Sequence, residues 1–168
     1  RVVSLAQTSI SQDFIEVTSD LLLLAAMPSL RTYLLVPSEE ARLTVADEFQ
    51  RYIATKRIYD QIRFIDLNGE EIIRANFGNG APHITPPAAL QNKAGRYYVQ
   101  EGLALNRENG DVERPLKPVL RFVTPVYDVS GEKSGIVIIN FLGKTLLDRA
   151  RALMADTSGF PLLTNPES

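Results

Sequence analysis

The spacing of apolar residues predicts a long helix over residues 2–27. Ile10, Phe14, Val17, Leu21 and Leu24 recur at intervals of 4, 3, 4 and 3, and Val3 extends the series by a heptad. Gln12, Asp13, Glu16, Ser19 and Asp20 mark the opposite, polar side. The unbroken apolar run Leu21–Met27 predicts burial all round at the C-terminal end. Pro28 closes the helix there, because proline cannot continue the hydrogen-bond ladder. At ~1.5 Å per residue the helix would be close to ~40 Å long. Such a seam suits a core helix of one domain, a stalk that meets a second copy, or one of these in each half.

A second helix follows, with Ser38 as its N-cap and Glu39 and Glu40 in the first turn, where the helix dipole favours acids. Val45, Phe49 and Tyr52 form its apolar stripe, and it fades at Lys56 and Arg57. The period then changes. Residues 58–66 read as a strand, Leu67-Asn68-Gly69 as a turn and residues 71–77 as the returning strand. The same shape recurs: a strand over 119–127, the turn Val129-Ser130-Gly131, and a strand over 134–142. The two turns share a register, Asp66-x-Asn68-Gly69-Glu70 and Asp128-x-Ser130-Gly131-Glu132, in which the Asp side chain bonds backbone two residues on and Gly supplies positive φ. Two antiparallel hairpins are predicted. The run Ile136–Phe141 is nearly all apolar, so its strand is expected to be central, with both faces covered. Between the hairpins lies an irregular stretch, 77–118, containing a short helix around 97–105, and long insertions in a compact domain are usually functional. A last helix is expected over 145–154.

Composition narrows the function classes. The chain has 168 residues, 45% of them apolar and 23% charged, the profile of one ordinary globular domain. A net charge of −2 gives no electrostatic footing for nucleic acid. Without cysteine there is no disulfide, thiolate metal site or cysteine nucleophile, and His83 is the single histidine. The longest apolar run is far short of the ~18 residues needed to cross a bilayer. The chain opens at Arg1 inside an apolar-periodic pattern and stops soon after Phe160–Thr164, which reads as the start of a strand. A piece of a longer protein is therefore expected.

Candidate chemistry is sparse. Gly143-Lys144-Thr145 has the end of a phosphate-binding loop but Ile138 where its first glycine is required, so Thr145 reads as a helix cap. Asp66-x-Asn68-Gly69 matches only the first ligand positions of a calcium loop. No carboxylate pair or serine elbow frames His83. No catalytic residue, metal site or cofactor is expected. Arg96-Tyr97-Tyr98 on the short helix is the most informative cluster. Adjacent tyrosines on a helix face different ways, so one packs inward while the other caps a cavity. Arg63 and Arg74 lie on the first hairpin, and Lys117 and Arg121 lead into the second. Each arginine alone suits solvent or pairing with Glu70, Glu71, Glu101 or Glu113; together with the tyrosines they suit a cavity for a small anionic or zwitterionic ligand. Alternation along 119–127 sets Arg121 on the face opposite Phe122, which leaves open whether it points into that cavity or away from it.

The order of elements resembles the Cache (PDC-type, PAS-like) extracytoplasmic sensor domains of bacterial transmembrane receptors. The resemblance covers about residues 1–165. It is carried by Tyr59–Asp66 with Gly69-Glu70 and Arg74, by Leu90–Lys93 followed by Arg96-Tyr97-Tyr98, and by Glu113-Arg114-Pro115-x-Lys117-Pro118-x-x-Arg121-Phe122 with Thr124–Asp128. It implies an α+β fold: a PAS-like central antiparallel sheet of about five strands, a long N-terminal helix and a short lid helix. The implied division is a helical stalk and second helix over 1–55, a ligand-binding lobe over 56–142, and an exit helix and start of a second lobe over 143–168. The implied function is a non-catalytic periplasmic sensor of a small metabolite, tethered to the membrane by flanking helices absent from this chain. It would signal through its helices to a histidine kinase, diguanylate cyclase or chemotaxis output, with a homodimer through the N-terminal helix. The alternative is a lobe that binds nothing and serves as a dimerising spacer. The expected ligand contacts are Arg63, Arg74, Arg96, Tyr97, Tyr98, Lys117 and Arg121. The chain departs from the pattern in two places. Leu105 runs almost directly into the segment at 109–115, where relatives carry an extra strand-bearing stretch. Arg96-Tyr97-Tyr98 also lacks the spacer and tryptophan of the Arg-x-Trp-Tyr string in amino-acid-binding relatives, so amino-acid recognition by that recipe is not carried over.

Overall fold

The computed structural model describes residues 2–105, 111–113, 119–142 and 148. The elements run α1 (Val2–Ala25), α2 (Pro28–Leu35), α3 (Glu39–Lys56), β1 (Tyr59–Asp66), β2 (Glu71–Gly78), β3 (Ala81–Ile84), α4 (Tyr97–Ala104), β4 (Asp111–Glu113), β5 (Val119–Tyr127) and β6 (Lys133–Leu142). The exit helix expected over 145–154 lies, apart from the helical Asp148, outside the described residues, as do Lys117 and residues 151–168.

The strands form one sheet in the order β3-β2-β1-β6-β5-β4, every neighbouring pair antiparallel. Both hairpins therefore share a sheet, joined by β1 and β6 at its centre. The sheet has six strands because β3, read from sequence as irregular, folds back on β2. His83 sits on it, exposed, opposite Asn76. The hairpin turns close alike: Asp66 Oδ1 accepts from the backbone of Asn68 and Glu70, and Asp128 Oδ1 from that of Ser130 and Glu132. These bonds, led by the Ser130 hydroxyl, hold the Asp128 carboxyl below its usual pKa.

One face of the sheet is covered by α1 and α3. Val17, Leu21 and Leu24 of α1 and Val45, Phe49 and Ile53 of α3 pack with Ile62, Phe64, Ile73, Phe122, Ile139 and Phe141 in one core. Ser38 caps α3, its hydroxyl accepting from Ala41 N at 3.1 Å. Burial of these side chains, each contributing roughly 1.5–3 kcal/mol, is what holds the helices down.

Three expectations for the N-terminus are corrected. Pro28 does not end the helical region but opens α2, since a missing N–H costs nothing at a first helical position. Leu23 is 58% exposed, because α1 meets the sheet along one side only. The polar side is not all solvated: Asp13 and Asp20 are buried. Asp20 accepts from the Tyr59 hydroxyl at 2.5 Å and pairs with Lys56 at 3.0 Å, while Lys56 also reaches Glu16 at 2.9 Å. Burial raises the Tyr59 pKa, so the phenol stays a donor. Of the apolar seam, Val17, Leu21 and Leu24 are consumed inside this chain's own core.

Candidate functional site

The other face of the sheet carries α4. Tyr98, Val99 and Leu103 rest on Ile65, Val123, Ile136 and Ile138. Gly102 permits this close seat, because a Cβ there would lie 2.7 Å from Val123 Cγ1. Beside this apolar patch opens a cavity of about 450 Å³ lined by Asp60, Gln61, Arg63, Glu71, Arg74, Lys93, Arg96, Tyr97, Tyr98, Arg121 and Asn140. Six of the seven expected contacts, Arg63, Arg74, Arg96, Tyr97, Tyr98 and Arg121, are brought together there; Lys117 lies outside the described residues.

The tyrosines divide the work as their helical spacing requires. Tyr98 is 8% exposed and points inward; Tyr97 is 49% exposed and stands at the rim, the two rings edge to face with centroids 6.1 Å apart. Two guanidiniums flank the Tyr98 ring, Arg121 at 4.7 Å and Arg63 at 5.4 Å from its centroid. Such contacts are worth about 0.5–2 kcal/mol each and tie the lid helix to the sheet. Arg121 thus points into the cavity, the direction that alternation alone left open. It does lie opposite Phe122, but Phe122 packs under the helices, so the opposite face is the cavity face.

The arginines are not equivalent. Arg63 is buried; its Nη1 donates to Tyr98 Oη at 3.2 Å and to Glu71 Oε1 at 3.5 Å, and its Nη2 to Asn140 Oδ1 at 3.2 Å. Arg74 donates to Glu71 Oε2 at 2.8 Å and to Thr85 Oγ1 at 3.0 Å. Glu71, wholly buried, is therefore the shared partner of both first-hairpin arginines, one negative charge against two positive, and it also accepts from Gln91 N at 3.1 Å. Lys93 donates to the side chain of Gln91. Arg96, at the N-cap of α4, lines the cavity with no carboxylate or other side-chain partner among the described residues. Asp60 is the second carboxylate of the lining, half-buried; desolvation raises its pKa, against a smaller lowering by Arg63. Five basic side chains thus face two carboxylates.

Sequence reasoning missed Asp60, Gln61, Lys93 and Asn140 as lining residues and took Glu71 only as a pairing partner. Two β-bulges explain the acids. Tyr59 pairs with Phe141 and Gln61 with Asn140, so Asp60 is an extra residue on β1. Phe64 pairs with Ile73 but Ile65 with Glu71, so Ile72 is an extra residue on β2. Each bulge inverts the alternation beyond it. The first puts Asp60 and Gln61 together in the cavity while Tyr59 turns under the helices to Asp20; the second moves Glu71 to the face of Arg63 and Arg74. Asn140 had a visible signal: it is the polar residue within the otherwise apolar run of the central strand.

A sheet with helices on one face, and a lid helix over a polar cavity on the other, defines the PAS-like class of sensor lobes. The model of the family "Bacterial histidine kinase, sensor domain" matches residues 7–151, and the chain belongs to that family. No protein of curated function matches the sequence. Solved structures share the fold. The extracellular domain of the histidine kinase vpHK1S-Z8 superposes with a TM-score of 0.80 at 22% identity, over 89% of this chain and 57% of that one. A domain of a sensory box/GGDEF family protein from Vibrio parahaemolyticus gives 0.68 at 24%, over 83% and 57%. The sensory domain of the Campylobacter jejuni chemoreceptor Tlp3 gives 0.66 at 16%, over 94% and 63%. This chain thus spans under two thirds of the length of these chains. Among the described residues no helix is long and apolar enough to cross a membrane.

Proposed function

We propose that this lobe senses a small anionic or zwitterionic metabolite in the cavity beneath α4, outside the cytoplasm, as part of a membrane-tethered receptor. The carrying observation is Arg96: a guanidinium on the cavity wall with no carboxylate partner among the described residues, while Arg63 and Arg74 are already paired with Glu71. Arg96 takes the ligand's acid group, Tyr97 and Tyr98 cover its body, and Asp60 receives an ammonium group where there is one. The similar sensory domain of Tlp3 is known with isoleucine and with L-valine, and that of the Pseudomonas aeruginosa chemoreceptor PctC with GABA, so amino acids belong in the first panel. The open polar cavity favours this reading over a solid, non-binding spacer. Occupancy acts through differential affinity for two arrangements of lid and helices, with α1 and the segment after β6 leading to the output and residues 143–168 opening a second lobe. Lys117 remains a proposed contact. Dimerisation through α1 would use its exposed Ile15 and Leu23.

A thermal-shift screen of small carboxylates, amino acids and amines tests the proposal. At a hundred times the dissociation constant a ligand adds about 2.7 kcal/mol. Arg96→Ala is expected to abolish the shift of any hit. A shift unchanged in that variant removes Arg96 from the site, and no hit across all three classes favours the spacer.

A further inference from the structure

The charges around the cavity beneath α4 do not balance, and the imbalance falls on the segment leading into the lid. Arg63 and Arg74 of the first hairpin share the carboxylate of Glu71. Asp60, the other carboxylate of the lining, lies within the field of Arg63. Lys93 and Arg96 have no such counterpart. They stand three residues apart in the turn before α4, where the Arg96 N–H donates to Lys93 O at 2.9 Å. Both line the cavity, and neither pairs with a carboxylate among the described residues; Lys93 donates to the neutral amide of Gln91. Leaving aside Arg121, whose guanidinium lies over the Tyr98 ring, four cations face two carboxylates, an excess of two among the described residues.

That excess bears on the class of ligand. Like charges gathered in a partly enclosed space repel one another unless counter-charge enters with the occupant. A zwitterion brings none and a monocarboxylate half of what is needed, whereas an ion with two negative charges restores the balance. The two cations also differ in form. A guanidinium is a planar fork that grips a carboxylate with two bonds, and an ammonium is a point charge on a flexible stem. Two such side chains, repelling each other, suit two acid groups rather than one. The rest of the lining is polar apart from the rings of Tyr97 and Tyr98, which leaves little wall for a branched aliphatic body. At roughly 30 Å³ per water, the cavity of about 450 Å³ has room for roughly fifteen non-hydrogen atoms, ample for a short chain with an acid at each end and some retained water.

Resting on the reading of this cavity as the ligand site, we propose that its ligands are short diacids of net charge −2, selected over amino acids and monocarboxylates by Lys93. Arg96 takes one acid group and Lys93 the other, and Tyr97 and Tyr98 cover the chain between them. Lys93 is thus the specificity-determining residue of the site, and Arg96 the residue on which all binding depends.

The test is isothermal titration of this chain with succinate, glutarate, succinamate, L-aspartate, 4-aminobutyrate and sulfate. Succinamate keeps the shape of succinate and removes one charge; L-aspartate adds an ammonium group to it. The better of the two diacids is expected to bind about tenfold or more tightly than each of the other four, and to lose affinity with added sodium chloride more steeply than succinamate. Lys93→Gln should bring the diacids to the level of succinamate while changing succinamate itself less than about threefold, and Arg96→Ala should abolish binding of both. Melts of the unliganded Lys93→Gln variant matching the parent would exclude misfolding as the cause. Equal binding of succinamate, L-aspartate, 4-aminobutyrate or sulfate, or a diacid preference that survives Lys93→Gln, would overturn the proposal; if that binding still vanishes in Arg96→Ala, the reading of the cavity stands and only its ligand class falls. Binding of none of the six would overturn the proposal as well, leaving the cavity itself to be judged by the wider thermal-shift screen.

Discussion

Glu71 is the hinge of the electrostatics beneath the lid, and replacing it by alanine is the most informative single change. Its carboxylate is wholly buried and accepts from Arg74, Gln91 N and Arg63. Removal leaves a buried guanidinium, a second that is 18% exposed, and a backbone N–H without their acceptor. Removing one partner of a buried pair costs about 3–5 kcal/mol. The 3.5 Å contact to Arg63 and the partial exposure of Arg74 favour the lower end, ~3 kcal/mol. For a chain of this size that is a fall of roughly 6–12 °C in Tm. Circular dichroism melts and urea denaturation would measure it, with an unchanged m-value showing that the fold persists. Glu71→Gln, which keeps the shape and one acceptor but not the charge, should fall between the parent and Glu71→Ala. The freed guanidiniums should also bind anions, so sulfate should restore part of the loss in Glu71→Ala and act weakly on the parent. A Tm within 2 °C of the parent (less than about 1 kcal/mol), with no response to sulfate, would refute the reasoning: the two arginines would then not depend on this carboxylate.

Four other changes have defined outcomes. Asp60 has a folded-state pKa above its usual 3.8, so the proton it holds favours the folded chain at low pH and that contribution is lost as pH rises through the folded value. Asp60→Asn should therefore be more stable than the parent at neutral pH, with the gain vanishing below about pH 4 in a series of urea midpoints. Gly102→Ala should cost about 1–3 kcal/mol by forcing α4 off Val123, and faster amide exchange in residues 97–104 than in the central strands would localise the effect. Tyr59→Phe removes a donor from buried Asp20 and should cost about 1–3 kcal/mol in chemical denaturation, whereas Tyr97→Phe at the rim should cost little.

The parts of the fold legible in the sequence were those set by local chemistry. The matching Asp-x-Asn/Ser-Gly-Glu turns fixed both hairpins, Ser38 fixed the start of α3, and the apolar run around Ile138 marked a central strand. The arginine and tyrosine positions of the cavity could be read because they fall on one face of regular elements or on the lid helix. What escaped depends on pairing between distant segments. The bulges at Asp60 and Ile72 exist only relative to β6 and β1, so no periodicity within one strand reveals them, and with them Asp60 and the re-aimed Glu71 were lost. The direction of Arg121 stayed open for a related reason: alternation separates the two faces but does not say which one the helices cover. Asp20 read as solvent-facing because Tyr59, its partner, is 39 residues away and reaches it only through the first bulge. Helix α2 escaped because a proline that stops one helix is equally suited to start the next.

The one-residue bulges give this lobe an unusual route to altered ligand choice. Excising Asp60 would restore a regular ladder with β6 while leaving Tyr59 under the helices and Gln61 on the ligand side, so the one change is a carboxylate taken out of the cavity. A single codon lost at residue 60 thus subtracts a charge from the ligand side of the sheet without re-aiming or replacing any of the remaining side chains, and one lost at residue 72 removes a bulge while Glu71 keeps its face. Divergence among such receptors would then be written partly in indels within strands, where alignments of substitutions alone would overlook it.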